Sequence, residues 1–365
     1  MKRVVISVSN DLNTDQRIQK ISTTLLKNGF EILLIGRKTP NSLKTELPFE
    51  TYCFNLIFNK GFLFYAEFNI RLFFKLLFEK KDILYANDLD TLLPNYIIHK
   101  IFKTKLIYDS HELFTEVPEL VDRPFVRNVW LKIEQTIVPK ITNCITVSSS
   151  IANYYNSKYN ANFKVIRNVP ILNTENAKGF FDFDTSNKKI ILYQGALNKG
   201  RGLELMINTM THLNKCLLII IGDGDITNDL KDSVSSLNLN EKVKFLPKKS
   251  PSELKKLTLL ADLGISLEED LGMNYKFALP NKLFDYIHAK VPVLVSDLVE
   301  MKKIVETYNI GYVLENREPA QLAKKIKSIL ENPNPIPASN FNEAMNDLNW
   351  EKESQKLEKL IEELS

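Results

Sequence analysis

The sequence predicts an α/β protein built from two doubly wound, parallel-sheet domains, and three observations predict it. Short runs of Val, Ile and Leu alternate with amphipathic stretches, the rhythm of parallel strands joined by crossover helices. That rhythm breaks once, over the polar residues 171–188, and then starts again. At 365 residues the chain exceeds one ordinary core and suits two domains of roughly 150 to 180 residues each.

In the first cycle, RVVISV reads as a strand, DQRIQKISTTLLKNG as a helix closed by Gly29, and FEILLIG as the next strand. DILYAND (82–88), the helical DTLLPNYIIHKIF, KLIYDSHE (105–112), a helix-rich stretch over 124–140 and NCITVSS (143–149) continue it. This domain ends near KVIRNVP (164–170). The second cycle opens on the strand KKIILYQGAL (188–197) and the helix RGLELMINTMTHL, followed by CLLIIIGDGD, a buried strand with a glycine turn. KVKFLP, ADLGISL, VPVLVSD and GYVL are its further strands, so this half is again Rossmann-like. After the proline-bearing ENPNPIPASN, the tail NWEKESQKLEKLIEEL is an amphipathic helix with Leu357, Leu360 and Ile361 on one side. It is expected to cross back to the first domain, giving segments 1–168, 169–343 and 344–365.

Composition narrows the function. With 44% apolar and 25% charged residues and a net charge of +4, the chain reads as a globular protein with its basic residues dispersed among nearly as many acids. No nucleic-acid recognition module is present, so nucleic acid is not an expected partner. Cys53, Cys144 and Cys216 are far apart, with no CxxC pair and no histidines at zinc spacing, so reduced thiols and no metal site are expected. The N-terminus runs straight into a strand pattern and meets polar residues too soon for a signal peptide or anchor, which predicts a cytoplasmic protein.

Ligands of open α/β sheets bind at the carboxyl ends of strands, and two such places carry suitable chemistry. YQGALNKGRGLE puts Gly195, Gly200 and Gly202 after a strand, with Arg201 at the mouth of a helix. Glycines let backbone amides approach an anion, a helix N-terminus favours negative charge, and arginine grips phosphate with a planar fork. LPNKLFDYIHAKVPVLVSD adds Pro280 and Asn281 at a helix start, Lys282 in its first turn and Asp285 one turn on. Such a helix offers amides and a cation to phosphate, and a carboxylate to sugar hydroxyls. Taken alone, each element also reads as an ordinary turn or a capped helix with solvated charges.

Together these stretches resemble the glycosyltransferases of family 4, which have two Rossmann-like domains facing each other in the architecture called GT-B. The resemblance spans nearly the entire chain and rests on GALNKGRGLELMI, LIIIGDGD, FLPKKSPSELKKL and LPNKLFDYIHAKVPVLVSD, with NDLNTDQRIQKI and YDSHELFTEVPEL in the first domain. It implies a retaining transfer of a sugar from a nucleoside-diphosphate sugar to a hydroxyl acceptor, in bacterial surface polysaccharide or glycolipid synthesis. Arg201 and Lys282 would neutralise the diphosphate, so neither a metal nor any other cofactor is needed. Asp285 would hydrogen-bond the ribose, with Asn281, Gly195 and Gly200 beside the donor. The turn bearing Gly222 and Gly224, together with LPKK (246–249), would lie along the nucleoside.

One departure stands out: many members carry two glutamates separated by seven residues, whereas here Phe277 and Asp285 hold those positions. Asn274 or one of the acids Glu268, Glu269 and Asp270 is then expected to replace the first glutamate.

In the first domain, His111 and Glu112 follow a strand end and match a cleft motif of the family. Histidine there can donate to a sugar hydroxyl or share a proton near neutral pH. Asp15 is expected chiefly to cap a helix, Arg17 to meet the acceptor, and Asp88 and Asp90 to be further candidates, whereas His99, His212 and His288 read as structural. The phenylalanine-rich residues 58–81 carry too many charges to span a bilayer, and read either as a core helix or as one resting on the inner face of the cytoplasmic membrane. The second reading suits a lipid-linked saccharide acceptor; a plain saccharide needs no such surface. Two rival functions share these residues: a nucleotide-sugar epimerase or hydrolase on the same fold, and a non-catalytic nucleotide-binding subunit, kept open by Phe277.

Overall fold

The valine- and isoleucine-rich runs become the central strands of two sheets in which every described pairing is parallel. A computed structural model describes residues 1–12, 15–39, 47–121, 123–172 and 177–364, without the side chains of residues 119 and 121. Residues 13–14 of the SNDLNTDQRI loop and 173–176 of the polar connector therefore lie outside the described residues.

The chain divides into two units. Unit 1 comprises Met1–Asn168, Gly272–Asn274 and Trp350–Ser365, and unit 2 comprises Val169–Leu271 and Tyr275–Asn349. Unit 1 holds β1 (Arg3–Asp11), β2 (Glu31–Arg37), β3 (Glu50–Phe54), β4 (Ile83–Asn87), β5 (Lys105–Ser110), β6 (Asn143–Thr146) and β7 (Phe163–Val165). Its sheet order is β3-β2-β1-β4-β5-β6-β7. Unit 2 holds β8 (Lys189–Gln194), β9 (Cys216–Ile221), β10 (Val243–Leu246), β11 (Leu263–Ser266), β12 (Val293–Ser296) and β13 (Gly311–Leu314), in the order β10-β9-β8-β11-β12-β13. Strand order reverses between β1 and β4 in one sheet and between β8 and β11 in the other. A crevice opens above such a reversal, because the crossovers on its two sides leave in opposite directions.

Three helices of unit 1 matter below: α1 (Gln16–Lys27), α2 (Gly61–Phe78) and α3 (Leu89–Phe102). Helix α1 starts where Asp15 accepts the Ile18 N–H at 3.1 Å, and ends ahead of Gly29, whose φ of +82° suits glycine. Its buried stripe of Ile18, Ile21 and Leu25 shares a core with Leu357, Leu360 and Ile361 of the C-terminal helix Trp350–Glu362. Burying each such side chain contributes about 1.5–3 kcal/mol. Trp350 Nε1 donates to Thr24 Oγ1 at 3.0 Å, and the buried Glu353 accepts from Arg167 at 3.1 Å, so the tail is held in unit 1 by polar as well as apolar groups.

Candidate active site

In unit 2 the two candidate cations converge. Lys282, in the first turn of the helix Asn281–His288, places Nζ 2.7 Å from Glu268 Oε1 and 4.0 Å from the centroid of the Tyr193 ring. Arg201 places Nη1 3.7 Å from the same carboxylate oxygen, with its guanidinium over Tyr275 at 5.1 Å. Glu268 is fully buried in the loop after β11, and its second oxygen accepts from Ser266 Oγ at 2.7 Å. Burial opposes ionisation of Glu268, but the charges of Lys282 and Arg201 outweigh it and hold the carboxyl below its ordinary pKa. An anionic oxygen therefore already sits where two cations meet, above the β8/β11 reversal.

Glycine geometry builds the floor. Gly202 precedes the helix Leu203–Met210 at φ +72°, and a Cβ there would lie 2.2 Å from the Leu267 carbonyl, so this turn packs on the loop carrying Glu268. Gly222 is equally constrained: a Cβ would meet the Gly195 carbonyl at 1.9 Å, pressing the turn after β9 against the turn after β8. Gly200 and Gly224 lie in the same two turns, Gly224 close to the Leu197 carbonyl. Backbone thus approaches backbone across the crevice, which a side chain would prevent.

Asp285 lies one turn along from Lys282 and accepts from Gln194 Nε2 at 2.8 Å, while Gln194 Oε1 accepts from Thr258 Oγ1 at 2.8 Å. This chain fixes the carboxylate at the end of β8. Beside it is a cavity of about 360 Å³ lined by Asp285, Ser252, Lys255, Thr258 and His288. Asn281 is the first helical residue and is exposed, with Pro280 rather than Asn281 in the cap position.

Of the residues weighed as replacing the first glutamate, Glu268 is the one placed between the cations. Glu269 donates its N–H to the Gly200 carbonyl at 2.8 Å and lies 3.7 Å from Arg317, whereas Asn274 groups with unit 1, where it bonds Glu112 at 3.0 Å and the Leu113 N–H at 3.0 Å.

Unit 1 carries a second polar cluster above its own reversal. His111, just past β5, places Nδ1 3.4 Å from Asp88 and Nε2 3.3 Å from Asp109, and its N–H donates to Asp88 at 2.7 Å. Asp88 has φ +62°, a strained value for a non-glycine residue, at the junction of β4 and α3. Burial would lower the His111 pKa, but the two carboxylates raise it to about 9. The two carboxylates thus favour the charged, hydrogen-bond-donating imidazolium. Burial pushes Asp88 and Asp90 up to about 6, and Asp90 accepts from Ser9 Oγ.

Arg17 is placed otherwise than expected. It is 1% exposed, gives Nε and Nη2 to Asp109 at 2.9 and 2.8 Å, and gives Nη1 to the Ile166 carbonyl at 2.8 Å. With its fork closed on Asp109 and its surface covered, it has none left for an acceptor, and its role is to hold Asp109. Tyr85 adds a third bond to that carboxylate at 2.6 Å. Sequence reasoning missed Asp109 altogether, although it stands two residues before His111, on the same face of an extended segment. Among the described residues no group of three or more His, Cys, Asp or Glu side chains is arranged to ligate a metal ion.

The His111 ion pairs make stability depend on pH. The folded pKa of about 9 lies above the ordinary 6.5. The stabilisation is thus complete below about pH 6.5 and is lost as pH rises through about 9. Urea unfolding of the parent and His111→Gln should show a stability gap at pH 7 that narrows at pH 10; a gap that is constant or widens would contradict the placement of His111 between two carboxylates.

Residues 178–347 match the family described as Glycosyl transferases group 1. This segment is thus similar to the group 1 glycosyltransferases. The match covers unit 2 from its connector to the residues before the tail helix, and so includes Arg201, Glu268, Lys282 and Asp285. An uncharacterized glycosyltransferase of Methanocaldococcus jannaschii is 27% identical over 149 residues, which is 40% of this chain and 36% of that protein. The aligned part thus spans about a third of the relative's length. Many solved structures share the fold over the whole chain, and two illustrate it. Sucrose-phosphate synthase from Thermosynechococcus elongatus has a TM-score of 0.82 at 16% identity, covering 100% of this chain and 99% of that one. HepE from Anabaena in complex with UDP-glucose has a TM-score of 0.78 at 14% identity, covering 100% of both. Units 1 and 2 are thus two parallel-sheet α/β domains of the GT-B fold.

Proposed function

We propose that the chain is a retaining glycosyltransferase of family 4 that moves a sugar from a nucleoside diphosphate to a hydroxyl of a saccharide or lipid-linked saccharide. Its setting would be bacterial surface polysaccharide or glycolipid synthesis at the cytoplasmic face of the membrane. The observation that carries this reading is the meeting of Arg201 and Lys282 on one buried carboxylate oxygen beside the glycine turns. Two cations held this way are preorganised for a second anion, the diphosphate, whose charge grows as the glycosidic bond to phosphate breaks. Asp285 would take the ribose hydroxyls, and the adjoining 360 Å³ cavity gives the nucleoside a place. That HepE was solved with UDP-glucose supports a donor of this class.

Bond breaking separates the sugar's anomeric carbon from the diphosphate oxygen, and bond making joins it to the acceptor oxygen, whose proton leaves with the diphosphate. His111, charged at neutral pH, would donate a hydrogen bond to a sugar hydroxyl, with Glu112 and Asp15 as acceptor-side groups. The enzyme is expected to work without a metal or other cofactor, since its own cations meet the developing charge. Incubation with UDP-, GDP- and ADP-sugars, with and without a membrane-derived saccharide fraction, tests the reading. A product that carries the donor sugar and forms only when acceptor is added supports it. Donor converted or cleaved equally well without acceptor would show an epimerase or hydrolase instead.

A further inference from the structure

Helix α2 carries apolar residues on two opposite sides. Phe64, Phe68, Leu72 and Leu76 recur every four residues and are buried, Phe68 lying edge-on to Phe54 of β3 at 5.7 Å. This is the stripe that an α/β domain needs to cover its sheet. Phe62, Ile70, Phe74 and Phe78 are spaced in multiples of four on another side and are 55%, 59%, 54% and 84% exposed. Single exposed apolar residues are ordinary on protein surfaces, but a continuous outward stripe of this size marks an interaction site.

The stripe is extended and fixed in place by its neighbours. Ile57 and Phe58, also exposed, precede the helix, and their N–H groups donate to the Glu67 carboxylate at 3.0 and 2.9 Å. That bond pattern pins the apolar segment alongside α2. At the far end, Ile101 and Phe102 of α3 are exposed, and Lys81 Nζ lies 4.0 Å from the Phe102 ring centroid.

Charge selects the occupant. The acids of this face are already paired, Glu67 with Arg71 at 2.7 Å and Glu79 with both Lys75 and Arg3. Lys60, Lys80, Lys100 and Lys103 are exposed at the ends of the two helices. A phenylalanine stripe rimmed by lysines suits a surface that is apolar within and anionic at its boundary, as an acidic phospholipid bilayer is. No helix among the described residues is long and apolar enough to cross a membrane, so α2 would lie along the interface.

We propose that the outer face of α2, with the end of α3, rests on a bilayer rich in anionic phospholipid, its phenylalanines at the acyl boundary and its lysines among the headgroups. The proposal suits the transfer to a lipid-linked acceptor proposed above, but the choice of a bilayer rests on the exposed apolar stripe and its lysine rim.

Flotation with vesicles of phosphatidylcholine alone, or mixed with phosphatidylglycerol, tests this on the full chain. The parent should float with the mixed vesicles, float less as salt rises, and stay behind with phosphatidylcholine alone. Ile70→Ser/Phe74→Ser/Phe78→Ser should lower the bound fraction at least tenfold, with thermal unfolding and any stabilisation by UDP, GDP or ADP unchanged. Should the triple variant fold poorly, Phe78→Ser, at the most exposed of these positions, carries the comparison. The proposal fails if the parent does not float, if the variant floats equally, or if the parent is a dimer that the variant dissolves. Flotation without any nucleotide binding would instead overturn the donor assignment and leave the membrane face standing.

Discussion

Lys282→Met will lower the rate of sugar transfer about 10²–10³-fold, the usual loss when one preorganised group facing developing negative charge is removed. The same substitution leaves Glu268, fully buried, with only the more distant Arg201 for charge compensation. Removing one partner of a buried pair costs about 3–5 kcal/mol. Lost activity could then reflect unfolding, and the partner residue separates the two causes. Lys282→Met/Glu268→Gln removes both charges and should recover most of the lost stability in urea unfolding without recovering transfer. If the double variant transfers sugar at the parent rate, Lys282 serves only to neutralise Glu268, and the phosphate assignment is wrong.

An effect on stability of the same size is expected in unit 1, at Arg17. Its guanidinium makes a bidentate pair with Asp109 and a third bond to Ile166, all out of contact with water. The Arg17 and His111 charges hold Asp109 well below the usual carboxylate range despite its burial. Arg17→Met removes the bidentate partner of that buried carboxylate, leaving it Tyr85 and His111, and should destabilise the unit by about 3–5 kcal/mol. Part of the loss should return in Arg17→Met/Asp109→Asn, because two neutral groups can share the site. The His111 titration, followed by NMR, should meanwhile move below 9 in Asp109→Asn, since one of the carboxylates that raise it is gone. Wild-type stability in Arg17→Met would show that the pair is not formed in solution.

Strands with runs such as VVISV, CLLIII and VPVLV were legible because both faces of a central parallel strand are buried, so their residues are apolar throughout. Two edge elements escaped. β3, with the sequence ETYCF, is exposed over most of its length and carries no apolar run, and β7 spans only three residues. The loops after β8 and β9 were legible through their glycines, since only glycine allows the backbone approach seen at Gly202 and Gly222. Glu268 was legible only as one of four candidates to replace the first glutamate, because nothing in the polar run LEED tells one acid from the next. Its burial depends on Lys282, fourteen positions on, and on a loop that closes only when β8 and β11 pair. Arg17 misled for the same reason: its partner Asp109 is 92 residues away, and no local pattern reports such a distance. Residues 58–81 read as either core or surface, and the helix is apolar on both sides, with one stripe buried and another exposed.

Titration calorimetry with UDP, GDP and ADP, and with the matching monophosphates, on the parent, Arg201→Gln and Lys282→Gln tests most directly whether the two cations share one diphosphate. At least one nucleoside diphosphate should bind the parent and lose about tenfold or more in affinity in each variant, as expected for removal of a charge-assisted hydrogen bond. The monophosphate, lacking the terminal group, should lose less. Diphosphate binding of undiminished affinity in both variants would contradict the account.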